Sequence, residues 1–153
     1  MAIFTTPRNA KGRRRKRTRG QALVEFALVI PIFLLVLCGI LDFGLMLYSR
    51  MGVINASREG ARASVTASDP TTIPSVANGA AKNAATGISA ASITVSTACV
   101  AIKTSGSCNF STKTASQPGD AVSVTVSYSY HTFFPLFFGS SIPMSSTVQM
   151  VLE

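Results

Sequence analysis

Between Phe26 and Leu41 sixteen consecutive residues carry no charge, and beyond Asp42 the apolar character resumes through Phe43, Leu45, Met46, Leu47 and Tyr48. As a helix this stretch of 23 residues would rise about 35 Å, enough to cross a hydrocarbon core of about 30 Å with some tilt. Pro31 lies inside it. A proline removes one helical hydrogen bond, which membrane helices tolerate where neighbouring groups compensate. Tyr48 and Arg50 then read as an interfacial stop, with the membrane helix assigned to 21–49. Beyond it, Met51, Ile54, Ala56, Ala61 and Ala63 alternate with Arg58, Glu59 and Arg62, so the helix is expected to continue as an amphipathic stalk over 50–67. Gly60 should weaken that stalk only modestly.

Charge placement gives the expected orientation. Of fourteen Lys and Arg residues, Arg8, Lys11, Arg13, Arg14, Arg15, Lys16, Arg17 and Arg19 fall before the apolar span, and no acid accompanies them. The other six bases are matched by six acids, so the net charge of +8 belongs to the basic leader, residues 1–20. A basic run directly before an apolar span holds that flank in the cytoplasm and sends the other flank outside. The tail can also contact anionic lipid. A nucleic-acid-binding domain would instead spread its bases over a folded face interleaved with aromatics, so no nucleic-acid partner is expected. A cleavable secretory signal fits poorly, because the apolar span is too long and carries Glu25 and Asp42. Lipid attachment at Cys38 is disfavoured by the bulky Leu37 before it, and the arginine run lacks the surroundings of a twin-arginine signal.

The segment 68–153 reads as a modest α+β domain outside the membrane. Asp69-Pro70 through Ile73-Pro74 is a loop, and Ser75 caps a short helix from Val76 to Ala85 ended by Gly87. Period-two alternation marks strands at Ser92–Ser96 and Ala121–Tyr128, and a third runs from Ser146 to Leu152. Gln117-Pro118-Gly119-Asp120 is a turn feeding the second strand. The apolar loop Phe133 to Gly139 either packs over the sheet or is an exposed partner surface; packing is the first expectation, since a small core needs its aromatics.

Cys99 and Cys108 are spaced for a disulfide across a loop, a bond that persists outside the cytoplasm. Cys38 reads as a small apolar residue in the membrane. Two cysteines and the lone His131 fall short of the four ligands of a closed zinc site. No metal, no cofactor and no catalytic constellation is expected, so the chain does not read as an enzyme.

Glu25 is the informative residue, because a carboxylate in the first turns of a membrane helix is costly and usually functional. Taken alone it is either an acid solvated in the headgroup zone or a group with a partner in the membrane. Asp42, about 25 Å further along the helix, reads foremost as a solvated acid at the far interface, with a partner contact as the other reading.

The string Arg19-Gly20-Gln21-Ala22-Leu23-Val24-Glu25-Phe26 resembles the processing site of type IV prepilin-like proteins, where a basic leader precedes a cut after glycine and an apolar helix follows. The wider stretch from Gly20 to Pro31, then Gly39-Ile40-Leu41-Asp42-Phe43-Gly44 and Ala56-Ser57-Arg58-Glu59-Gly60-Ala61-Arg62, resembles the TadE/TadG-like proteins of the tight adherence (Flp) pilus system. The resemblance covers about Gly20 to Arg62. It implies a pilin-like chain, a long N-terminal helix followed by a small antiparallel sheet domain, acting as a minor pilin or pseudopilin in an adhesive, secretion-related pilus.

On that resemblance Gly20 precedes the cut, Gln21 becomes the N-terminus, and Glu25 with Phe26 forms the assembly region. Phe26 stands where the major pilins carry tyrosine, and the outer domain is far larger than theirs; both set this chain apart from the major subunit. The implied partners are other pilin or pseudopilin subunits met through the helix, the prepilin peptidase, the inner-membrane assembly platform and the bilayer itself. A membrane-anchored binding or adhesion domain unrelated to pili is the competing expectation.

Overall fold

The computed structural model describes residues 18–102, 108–110, 119–133, 135 and 139–152. The basic leader at 1–17, loop residues 103–107, turn residues Gln117 and Pro118, and Phe134, Leu136, Phe137 and Phe138 lie outside the described residues. The chain divides into two units, Met1–Cys38 and Gly39–Glu153.

In the first unit the described residues belong to helix α1, Thr18–Val65, which passes through Pro31 without interruption. From Gly20 to Leu37 every residue is exposed, and most are large and apolar. A bare apolar helix of this kind matches the expectation of a membrane span: α1 is long and apolar enough to cross a bilayer, and the bilayer would serve as its solvent.

The second unit holds the rest of α1, helix α2 (Ile73–Ala84) and strands β1 (Ile93–Val100), β2 (Ala121–His131) and β3 (Ser141–Val151). The strands form one antiparallel sheet in the order β1-β2-β3. Val95 pairs with Val126 across the first ladder, and Val124 with Val148 across the second. Alternation sends Ile93, Val122, Val124 and Val126 into the core, where they meet Val53, Ala56 and Ala61 of α1 and Ile73, Ala77 and Ala81 of α2. Successive side chains of a strand point to opposite faces, so the other face collects Thr94, Ser96, Thr125, Ser127, Ser145 and Thr147, with Thr125 and Thr147 hydrogen bonded at 2.8 Å. The α+β class read from the sequence is the class observed.

Several boundaries differ from the sequence reading, each for a local reason. Asp69 Oδ1 accepts a hydrogen bond from Thr71 N at 3.0 Å and caps a 3-10 turn, Pro70–Thr72, which runs into α2. That helix therefore starts at Ile73, with Pro74 in its first turn where no amide partner is lost. Ser75 lies inside the helix. Strand β3 begins at Ser141 and includes Pro143, which an edge strand tolerates.

The larger difference concerns the expected stalk. Residues 50–65 are the central helix of the domain, with Gly52, Val53, Ala56, Ser57, Gly60, Ala61 and Ser64 buried and Arg58, Glu59 and Arg62 exposed. Gly52, Ala56 and Gly60 recur every four residues, so they share one face. A Cβ at Gly52 would run into the carbonyl oxygen of Thr86. One at Gly60 would lie 3.1 Å from Ala77 O, 3.2 Å from Ala81 Cβ and 3.2 Å from Val124 Cγ1. Gly60 therefore does more than weaken a helix: it allows the backbone contact on which the core is built. The buried serines are satisfied, Ser64 Oγ by Gly60 O at 2.7 Å and Ser57 Oγ by Ile54 O at 2.9 Å and Ser146 Oγ at 2.8 Å.

A paired substitution checks this packing. Gly52→Ala should destabilise the domain by about 1–3 kcal/mol through overpacking against fixed backbone. Gly79→Ala in α2, where a Cβ would meet nothing within 4 Å, should stabilise it by about 0.5–1 kcal/mol through helix propensity. Denaturant unfolding in detergent, followed by circular dichroism, measures both.

Candidate functional site

The residues singled out by sequence fall into two groups, one in each unit. In the first unit the Gly20–Gln21 bond lies in the first turn of α1, which begins at Thr18 rather than at Gly20. Helix ends open at little cost. Among the described residues a Cβ at Gly20 would meet nothing within 4 Å, so their packing does not require a glycine there. One turn later Glu25 and Phe26 are both exposed. Gln21 Nε2 donates to Glu25 Oε1 at 3.5 Å, a contact between neighbours on one helix face.

In the second unit the structure revises the sequence reading of Asp42. Its side chain is only 5 % exposed. Tyr130 Oη, on β2, donates to Asp42 Oδ1 at 2.6 Å and lies 3.3 Å from the Asp42 carbonyl oxygen. The acid is thus held inside the protein and is not solvated at the outer interface. A buried carboxylate demands such a donor, because an unpaired one is costly in an apolar setting. Asp42, Phe43, Met46, Tyr130, Thr132 and Ile142 surround one narrow crevice. The same contact shifts the Tyr130 phenol from its ordinary value of 10.0 to about 12. Burial is the first cause, followed by the hydrogen bond to Asp42 and its negative charge, with a smaller contribution from Tyr128.

Tyr48, read as an interfacial residue, has its ring resting on Gly87, whose φ of +77° and missing side chain both suit a glycine. Cys99 and Cys108 are joined, with Cα atoms 5.4 Å apart, inside the span a disulfide needs. Beside them Asp120 Oδ1 accepts from Ile102 N at 3.0 Å, tying the end of β1 to the start of β2. Cys38 is a free thiol. Among the described residues no three His, Cys, Asp or Glu side chains gather as a metal site would require.

Gly52, Gly60 and Tyr130 were missed from sequence. The two glycines carried a legible signal, the recurrence of small residues at 52, 56 and 60. Tyr130 carried none, since its partner lies 88 positions away.

Residues 20–62 match the family model described as TadE-like protein. The match covers the stretch on which the resemblance was read and bears it out, tying this segment to a family of the tight adherence pilus system. No curated protein and no solved structure matches the chain.

Removing the Tyr130 hydroxyl checks the buried contact. Tyr130→Phe should cost about 1–3 kcal/mol, because Asp42 Oδ1 loses a buried donor. The folded state holds the phenol proton more tightly than the unfolded chain does. The contribution of this ionisation to stability is therefore whole below pH 10 and is lost as pH rises toward 12. Unfolding of the wild type as a function of pH should show this alkaline decline, and the Tyr130→Phe variant should lack it. The disulfide has a separate check: intact mass under non-reducing conditions should be lower by two hydrogens than after reduction.

Proposed function

We propose that this chain, TadE-like over residues 20–62, is a membrane-anchored minor pilin or pseudopilin that acts in assembling a tight adherence pilus for surface adhesion. The observation that carries the reading is Glu25: a carboxylate on a bare apolar helix, five residues past Gly20, inside a segment that matches the family. From Ala22 to Leu37 every residue except Glu25 is apolar and all are exposed. In a dry bundle of such helices the carboxylate needs a counter-charge. Cleavage after Gly20 would free an ammonium at Gln21, and that group on a neighbouring subunit would meet Glu25 and set axial register. The role is structural and uses no catalytic chemistry.

The basic leader, residues 1–20, faces the cytoplasm in this reading, and the chain from Arg50 onward lies outside the inner membrane. The prepilin peptidase meets the chain at Gly20 and Gln21. Other pilin subunits and the assembly platform meet it along the exposed helix. The competing role, an anchored adhesion domain outside any pilus, has no use for either Gly20 or Glu25.

Two substitutions separate these roles without disturbing the fold, because both sites are exposed. Co-expression with an active prepilin peptidase should yield a chain beginning at Gln21, and Gly20→Ala should abolish the cut. An unchanged intact mass beside an active peptidase would remove the processing step. Glu25→Leu should stop piliation while leaving membrane insertion intact; normal pili from that variant would remove the assembly role.

A further inference from the structure

The cut proposed after Gly20 leaves a glutamine at the new end of α1. The backbone nitrogen of Gln21 and the Cδ of its own side-chain amide can close a small ring through Cα, Cβ and Cγ. While the chain is whole that nitrogen belongs to a peptide bond and is no nucleophile. Cleavage turns it into an amine. An ordinary α-amino group titrates at about 8, so at physiological pH part of it is neutral and able to attack. Attack within one residue is unimolecular and needs no encounter with a second molecule.

The surroundings of Gln21 leave this ring closure open. Gly20 and Gln21 are both exposed. The first N–H groups of an α-helix have no carbonyl to bond within the helix, so no turn of α1 holds the freed amine. The side-chain amide contacts Glu25, Nε2 to Oε1 at 3.5 Å. That contact is long and exposed, and a pair of this spacing on a helix contributes little. Its release lets the amide swing back toward the nitrogen. An ammonium at Gln21 would also stand at the positive end of the helix dipole, beside the apolar residues Ala22, Leu23 and Val24. Ring closure removes that charge.

We propose that Gln21 is a self-modification site, where the amine freed by cleavage closes on the residue's own side chain to give a pyroglutamyl N-terminus. The backbone nitrogen bonds to Cδ, the bond from Cδ to Nε2 breaks, and Nε2 leaves as ammonia with the proton that the amine gives up. Nothing is oxidised or reduced. The inference rests on the proposed cut after Gly20 and adds a fate for its product. The ring nitrogen is an amide and carries no charge, so a cyclised subunit has lost the group that would meet Glu25 of a neighbour. An amine paired with that carboxylate stays protonated and cannot attack. Pairing and ring closure therefore compete for one nitrogen, and a processed subunit that finds no neighbour is retired from assembly.

Intact mass separates the outcomes. Full-length protein, one chain to a nanodisc of phosphatidylethanolamine and phosphatidylglycerol, is treated with active prepilin peptidase and followed over time. A chain beginning at Gln21 should appear first, then a species lighter by one ammonia whose N-terminus no longer reacts with an amine reagent. Pyroglutamyl aminopeptidase should convert that species to a chain beginning at Ala22, which identifies the modified residue without a variant. Q21A has no side-chain amide and should keep its amine throughout. A cut wild-type chain that holds its mass and its amine would overturn the modification while sparing the processing step. Loss of ammonia from Q21A as well would put the reaction elsewhere and also overturn it. A chain that is never cut would remove processing and modification together. Crowding the chains in vesicles of the same lipids should slow ring closure several-fold, and Glu25→Leu should abolish the slowing. Equal rates for the wild type at both densities would overturn the competition between pairing and ring closure.

Discussion

One helix must satisfy two solvents, and the rest of the structure follows from where α1 changes from one to the other. Up to Leu41 its large apolar side chains are exposed, a surface suited to hydrocarbon. From Asp42 onward it buries small residues on one face, a surface suited to a tightly packed protein core. A helix of large residues throughout would hold the sheet too far away. Gly52, Ala56 and Gly60 remove that obstacle on the face that meets α2 and β2, and each glycine gives up helix propensity to do so. The amphipathic character expected of a stalk is present, but it divides protein core from water rather than stalk from its surroundings.

Asp42 sits where the two surfaces meet. A carboxylate there is poorly placed for lipid, and within the protein it requires a donor. The Tyr130 hydroxyl supplies one from the centre strand, 88 residues away. β2 is paired with β1 as far as Tyr128 and with β3 as far as His131, so Tyr130 is positioned by its place opposite Ile142 on the centre strand. The pair therefore ties the point where the apolar helix enters the domain to the most constrained strand in it. The raised Tyr130 pKa is the electrostatic mark of that burial.

Much of this was legible in the sequence. The apolar run, the glycine followed five residues later by glutamate, and the family-like strings are contiguous, so they depend on no tertiary information; the family match covers the same residues. The strand cores at 93–96, 121–128 and 146–151 followed from period-two alternation; the same alternation runs on through Ser129 and Tyr130, where the extension of β2 was legible and was missed. The burial of Asp42, the tight approach at Gly60 and the exposure of Phe133 were misread. All three depend on which distant element faces α1, and no local pattern encodes that choice. Gly60 looked like a helix weakness because propensity counts only the helix, whereas its value lies in the contact with Ala77 and Val124.

The chemistry of the two units differs in kind, and this bears on how such a chain works. From Ala22 to Leu37 the first unit carries one exposed acid on an otherwise apolar stretch of helix. In the second unit Asp42 and Asp120 are buried, bonded to Tyr130 and the Ile102 amide, while Asp69 caps the turn before α2 at the surface. Its basic residues along α1, Arg50, Arg58 and Arg62, are exposed, with Arg62 beside Glu59 at 3.8 Å. Exposed ion pairs of that type contribute little to stability, so the domain relies on small-residue packing and buried hydrogen bonds. A chain built this way keeps the fold of its second unit independent of Glu25, the exposed acid that the proposed assembly would use.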